Sequence, residues 1–189
     1  GIAKKTPTGV ELRVHPTLIP TKRLIANVEG AMNAVQVFGD AVGTTLYYGK
    51  GAGSEPTASA VIADLVDVAR MQNTSIEERV PYLAYHDTTS TANTPILPIG
   101  EINTAYYLRM RALDKPGVLA EVTKILGDRQ ISIDAMMQKE PQDGETEADI
   151  VILTHITVEK NMNAAIQSIE ALPAIDGAVV KLRMEELNK

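Results

Sequence analysis

Residues 106–138, YYLRMRALDKPGVLAEVTKILGDRQISIDAMMQ, change their apolar period twice, and those changes decide the fold. Through Tyr106–Leu113 the residues alternate, with Leu108, Met110 and Ala112 on one face and Arg109 and Arg111 on the other. A period of two with one apolar side describes a strand lying on a core. After Asp114-Lys115-Pro116-Gly117 the spacing lengthens. Val118, Leu119, Val122, Ile125 and Leu126 form one stripe, which predicts a helix over Pro116–Asp128, and Ile131–Gln138 returns to strand character. The junction carries its own start signal. Pro116 suits the first helical position, where its missing N–H costs nothing, and Asp114 lies where a carboxylate can cap the turn. Gly117, having no side chain, also leaves room for an anion to approach the first N–H groups of the helix. Capping alone accounts for each residue of the junction, so a binding role depends on its setting.

Downstream, the acidic stretch KEPQDGETEAD (139–149) connects to a strand over Ile150–Ile156. A helix follows over Lys160–Leu172, with Met162, Ala165, Ile166 and Ile169 on one side and Pro173 beyond its end, and then a strand over Ala178–Met184. The order from Thr104 is β-α-β-β-α-β, the ferredoxin-like split unit. Two helices on one face leave the other face or an edge of the sheet free for pairing, and such a sheet invites side-by-side dimerisation.

Upstream, residues 72–103 hold three prolines and five threonines with little periodicity, and are expected to be a linker. Before it, TASAVIADLVDVARM places Ala58, Val61, Ile62, Leu65, Val66 and Ala69 at helical spacing, capped on Ser54 or Thr57. The segments 9–19 and 23–38, and the stretch behind Gly39-Asp40, carry β-branched residues with partial alternation and predict strands. The opening GIAKKTPTGVELRVHP has the look of a hairpin entered mid-strand, as in a fragment. The expected chain is α+β: a partial α/β sheet with a helix over 1–71, a linker over 72–103, and a βαββαβ unit over 104–189.

Composition removes several function classes. A net charge of −6 without a basic stripe, and only 4% aromatic residues, argue against a nucleic-acid partner. No apolar run approaches a membrane span and no signal pattern opens the chain, so a cytoplasmic protein without a membrane partner is expected. With no cysteine and with His15, His86 and His155 scattered, neither thiolate catalysis nor a metal site is expected. His15 before Pro16 suits an extended strand residue, Asp64 and Asp67 a solvated helix face, and the acidic stretch a solvated hairpin connection. Asn27, Glu29 and Asn33 are expected to make interface hydrogen bonds.

The pattern of residues 106–138, followed by two strands around a helix, resembles the ACT domain, a regulatory module that binds amino acids between paired domains. The resemblance covers 104–189. It implies effector contacts at Asp114, Gly117, Val118 and Leu119, with Ser132 and Ile133 facing them. Many members carry Asn where this chain has Asp114 or Ser132, and a carboxylate at 114 suits an effector's ammonium.

The segments GVELRVHPTLIP and LIANVEGAMNAVQVFGDAVGTTLYYGKGAGSEPTASAVIADLVDVAR resemble the later catalytic region of bacterial homoserine dehydrogenases that end in an ACT domain. That family interconverts aspartate semialdehyde and homoserine with NAD or NADP, and the ACT-bearing form is typically inhibited by threonine. The resemblance implies a parent oxidoreductase whose nucleotide fingerprint and acid/base lysine precede Gly1. It therefore implies no catalytic residue here, a fragment inactive alone, and no cofactor bound to it. It also implies self-association through the ACT domain and the catalytic-region sheet. The loop GKGAGSEPT resembles the family's turn beside the cofactor, placing Gly51, Ala52 and Gly53 near the nicotinamide. Its spacing is neither a dinucleotide fingerprint nor a P-loop, and a tight strand-to-helix turn explains the same glycines. A free-standing ACT-type amino-acid sensor, or a dimerisation module, is the competing expectation.

Overall fold

The computed structural model describes residues 1–75, 78–79, 94–139, 141 and 144–187. Most of the expected linker, His86 included, falls outside them. The chain divides into two compact units, Gly1–Ile19 with Thr94–Glu186, and Pro20–Asn93 with Leu187–Lys189.

The first unit begins with β1 (Ile2–Thr6) and β2 (Gly9–Arg13), an antiparallel hairpin, and β3 (Thr17–Leu18). The expected single strand over 9–19 is broken at Val14–Pro16, since a proline cannot donate to a ladder and restricts the residue before it.

The second unit contains β4 (Met32–Gly39), β5 (Gly43–Lys50) and α1 (Ser54–Met71). β4 and β5 form the hairpin expected around Gly39-Asp40, and Gly43 turns at φ 76°, a conformation open to glycine. The strand expected over 23–38 starts only at Met32, because Leu24–Asn27 is a short 3₁₀ turn. There Asn27 Nδ2 donates to the carbonyls of Arg23 and Thr21, 2.8 and 3.2 Å away, so this side chain serves its own turn. α1 is capped by Gly53, not by Ser54 or Thr57, and no side chain closes its first turn. Its apolar stripe, Val61, Ile62, Leu65 and Val66, is exposed.

The chain re-enters the first unit through a 3₁₀ turn at Ile99–Glu101 and continues as β6 (Asn103–Leu113), α2 (Val118–Asp128), β7 (Ile133–Gln138), β8 (Glu147–Thr154), β9 (Thr157–Val158), α3 (Glu159–Glu170) and β10 (Ile175–Met184). The sheet order is β3-β10-β6-β8-β7, with β9 alongside the start of β6. The four long strands and two helices are the expected βαββαβ unit, and the chain is α+β. Leu108, Met110 and Ala112 of β6 pack with Val122 and Leu126 of α2 and with Met162, Ala165 and Ile169 of α3, all buried. Cutting back Leu108, Leu126 or Ile152, each fully buried, costs ~2–5 kcal/mol in lost transfer energy and residual cavity.

Among the described residues the unit has two buried charge clusters that periodicity did not reveal. In one, the carboxylate of Glu159 opens α3 and accepts from Tyr106 Oη (2.5 Å), Arg183 Nε and Nη2 (2.9 and 2.6 Å) and Lys181 Nζ (2.6 Å). Burial alone would raise its pKa. The donors from Arg183, Lys181 and Tyr106 outweigh burial and lower the carboxyl from 4.5 to about 2. The same burial, with the bond to Glu159, holds the Tyr106 phenol far above its usual range. The other cluster joins the N-terminal hairpin to the end of β10 through Arg13 and Glu185.

The compact grouping departs from the expected boundary at 71–72. Residues 1–19 belong with the βαββαβ unit because β3 runs parallel to the end of β10 and Val10 of β2 bridges to Ile96 in the segment leading to β6.

Candidate functional site

The end of β6 opens onto a cleft of about 430 Å³ lined by residues 113–119 together with Gln138 and Ile150. The loop that shapes it is tied to both neighbouring strands. Leu113 N donates to Ala174 O (2.8 Å), next to β10, and Asp114 N to Thr146 O (2.9 Å), next to β8. Lys115 N turns back onto Leu113 O at 2.9 Å.

Helix α2 begins one step later than expected. Gly117 is its N-cap with φ 96°, Pro116 lies in the preceding turn, and no side chain caps the helix. Asp114 therefore does not cap: its Oδ1 accepts from Gln138 Nε2 at 2.9 Å. The carbonyl of Gly117 accepts from Glu121 N at 3.0 Å, and the first-turn N–H groups of an α-helix have no intrahelical acceptor. A Cβ placed on Gly117 would meet nothing within 4 Å, so the glycine is required by its backbone angle and not by crowding.

Chemically the cleft has an anionic corner at Asp114, an amide at Gln138, apolar surface from Leu113 and Ile150, and a helix start with Lys115 beside it. A small zwitterion with a short side chain matches that inventory.

Of the sequence-predicted effector residues, Asp114, Gly117, Val118 and Leu119 come together here. Ser132 and Ile133 do not. Ile133 pairs with Thr154 and Ser132 O accepts from His155 N, whereas Leu113 pairs with Glu147 and Gln138 with Ile150. β6 and β7 both run antiparallel to β8, so they are parallel to each other, and the residue of β7 beside the end of β6 is its last, Gln138, not its first. Gln138 was missed for that reason, although strand polarity in a βαβ crossover could have named it.

The other residues singled out in the sequence hold structural places. Gly51, Ala52 and Gly53 form the exposed turn into α1; Gly53 sits at φ 130°, and a Cβ on Gly51 would collide with Asn33 Nδ2. His15 bonds through Nδ1 to Thr17 Oγ1 at 3.0 Å, and Asp67 lies 3.9 Å from Arg70 on α1. In the acidic connection, Glu145 and Glu147 pair with Arg111 at 3.5 and 2.7 Å, so part of its charge is neutralised by β6. Among the described residues no group of His, Asp and Glu could hold a metal ion, and no helix is long and apolar enough to cross a membrane.

Two family models match the chain, homoserine dehydrogenase over residues 1–66 and the ACT domain over 106–174. The homoserine dehydrogenase of Methylobacillus glycogenes is 63% identical over 188 residues, which is 100% of this chain and 44% of that protein. That of Pseudomonas aeruginosa is 54% identical over 100% of this chain and 43% of its own length. The chain belongs to the homoserine dehydrogenase family. A crystal structure of a homoserine dehydrogenase from Thiobacillus denitrificans superposes with a TM-score of 0.87 at 61% identity, over 98% of this chain and 41% of that one. The chain thus spans less than half the length of the homoserine dehydrogenases it matches. The homoserine dehydrogenase match takes in the hairpin β1–β2 and β3, which lie in the compact unit that also contains the ACT domain.

Proposed function

We propose that this chain is the regulatory portion of an NAD(P)-dependent homoserine dehydrogenase of the cytoplasm, and that its ACT cleft binds L-threonine as a feedback inhibitor. The parent reaction takes a hydride from homoserine to NAD or NADP, giving aspartate semialdehyde, a proton and the reduced cofactor. No residue of this chain is assigned to that chemistry, and the fragment alone is inactive. Gly51, Ala52 and Gly53 would let the backbone approach the nicotinamide end of the cofactor in the longer protein.

The observation that carries the reading is the pairing of Asp114 with Gln138 across the mouth of α2. One carboxylate oxygen is held by the amide. The other is left for an ammonium, while the effector's carboxylate faces the helix start and its short side chain faces Gln138 and Ile150.

Self-association completes the site. β3 covers the last two residues of the β10 edge, while among the described residues β7 has no strand on its outer side and exposes Met136 and Met137. Two copies pairing antiparallel through β7 would bring the start of one β7 against the end of the other. Ser132 and Ile133 would then reach the cleft from the second copy and so meet Asp114.

Calorimetric titration with L-threonine, with isoleucine, methionine and serine alongside, tests the reading. Selective threonine binding that is lost in Gly117→Asp supports it. No binding to any of the four leaves the module as a dimerisation device.

A further inference from the structure

The N-terminal hairpin is fastened to the far end of β10 by charges taken almost wholly out of water. The side chain of Arg13 is 0% exposed and those of Glu11 and Glu185 only 5% and 7%. Arg13 Nη2 donates to Glu185 Oε1 and lies 3.4 Å from Glu11 Oε2, while Lys4 Nζ reaches Glu185 Oε2 at 2.6 Å. Thr104 Oγ1 closes the cluster on the β6 side by donating to Met184 O at 2.8 Å. Backbone bonds run through the same place: Glu185 N donates to Leu18 O at 3.0 Å, and β3 pairs with Arg183 and Met184. Burying charge in this way is costly, and a guanidinium fixed on two carboxylates has one geometry that satisfies it. Arg13 also has Nε and Nη1 buried with no hydrogen-bond partner among the described residues, so its carboxylates are what hold it.

β10 connects this cluster to the cleft. Its first residue pairs with Ala112, and Ala174 just before it accepts from Leu113 at the cleft wall, while its last residues carry Glu185 to the hairpin. Between Asp176 and Val180 the pairing shifts register, with Gly177 at φ 71°, and from Val180 the ladder with β6 runs unbroken to Met184. After β3 the chain leaves at Ile19 for the second unit.

We propose that Arg13 and Glu185 are coupling residues, which make the hairpin and β3 follow β10 when the cleft fills and so deliver the effector signal to the chain at Ile19. The inference rests on the amino-acid reading of the cleft and adds its output. A contiguous route of this kind transmits only if both ends bias one element between two arrangements, and β10 is that element.

Backbone hydrogen exchange of the full chain, read with and without saturating L-threonine and beside a calorimetric titration, tests the proposal. In the native chain threonine slows exchange at Val10, Arg13 and Glu185 by on the order of tenfold, the size of an ordinary coupling. In Arg13→Met threonine still binds with affinity within about twofold, but the slowing at Val10 is gone while that at the cleft remains. Threonine binding that leaves the native hairpin's exchange unchanged, or an Arg13→Met chain that keeps the slowing, overturns the coupling and leaves the cleft reading intact. No threonine binding to the native chain overturns the cleft reading and the coupling with it. Should Arg13→Met fail to fold, Lys4→Met, whose ammonium is partly exposed, must reduce the slowing, and an unchanged response in that variant also overturns the proposal.

Discussion

Gln138 Nε2 donates to Asp114 Oδ1 over 2.9 Å, joining the last residue of β7 to the loop after β6. Both groups lie at the same end of the sheet because the two strands are parallel, and the bond turns a flexible carboxylate into one with a set direction. Replacing Asp114 with Asn keeps the amide's bonding possibilities and removes the charge. Threonine affinity should fall tenfold or more, since a hydrogen bond to a charged group contributes about 1.5–3 kcal/mol. Calorimetry on the purified variant checks this, and native affinity would mean that the ammonium sits elsewhere.

Gly117 separates backbone strain from site blockage. Its φ of 96° is disfavoured for any L side chain, yet a Cβ there meets no atom within 4 Å. Gly117→Ala should cost about 1–2 kcal/mol in urea unfolding and retain threonine binding. Gly117→Asp should cost a similar amount and abolish binding, by placing a negative charge at the helix start where the effector's carboxylate is expected.

Glu159 makes the unit acid-sensitive in a stated window. Its carboxyl titrates at about 2 when folded against an ordinary 4.5, so the folded state binds the proton more weakly than the unfolded chain. That contribution, about 3 kcal/mol, is complete above pH 4.5 and is lost as pH falls through 2. Urea unfolding of the native chain and of Glu159→Gln across this range should give stability curves that converge toward low pH. Curves that stay parallel would mean that the ion pairs with Arg183 and Lys181 do not set the carboxyl's affinity for protons.

Tyr106→Phe removes one of the donors to that carboxylate and leaves Arg183 and Lys181 in place. The expected loss is about 1.5–3 kcal/mol at neutral pH, the worth of a hydrogen bond to a charged group, measured as a shift in the urea midpoint at constant slope.

The hairpin is a structural part of the ACT-bearing unit. A chain of residues 94–187 loses β3 from the β10 edge and Arg13 from Glu185. It should unfold at a lower temperature than residues 1–19 joined to 94–187 by a short linker, and should self-associate through the uncovered edge. Differential scanning calorimetry and size-exclusion chromatography on the two proteins make the comparison; equal melting temperatures would make the hairpin an ornament.

Local periodicity was enough for the βαββαβ unit. Leu108, Met110 and Ala112 alternate, Val122 and Leu126 repeat at helical spacing, and each lies in the core that this spacing implies. The loop after β6 was legible as a turn into a helix, but its capping was not, since Gly117 and not Asp114 stands at the N-cap. Between residues 23 and 31 the reading failed. There β-branched residues suggested a strand, and the side chain of Asn27 folded back on Arg23 and Thr21 to make a 3₁₀ turn. A side chain bonding to its own backbone competes with a ladder, and composition does not show which wins.

What the sequence determined by itself was the order of elements and the face that each buries, since these follow from the spacing of apolar residues a few positions apart. Only the tertiary structure decided which distant residues meet. Gln138 reaches Asp114 through strand polarity, Arg183 and Lys181 converge on Glu159, and Arg13 finds Glu185 across almost the whole chain. Those pairings depend on how strands stack in a sheet and on where a buried charge can find its counter-charge, and neither leaves a period in the sequence.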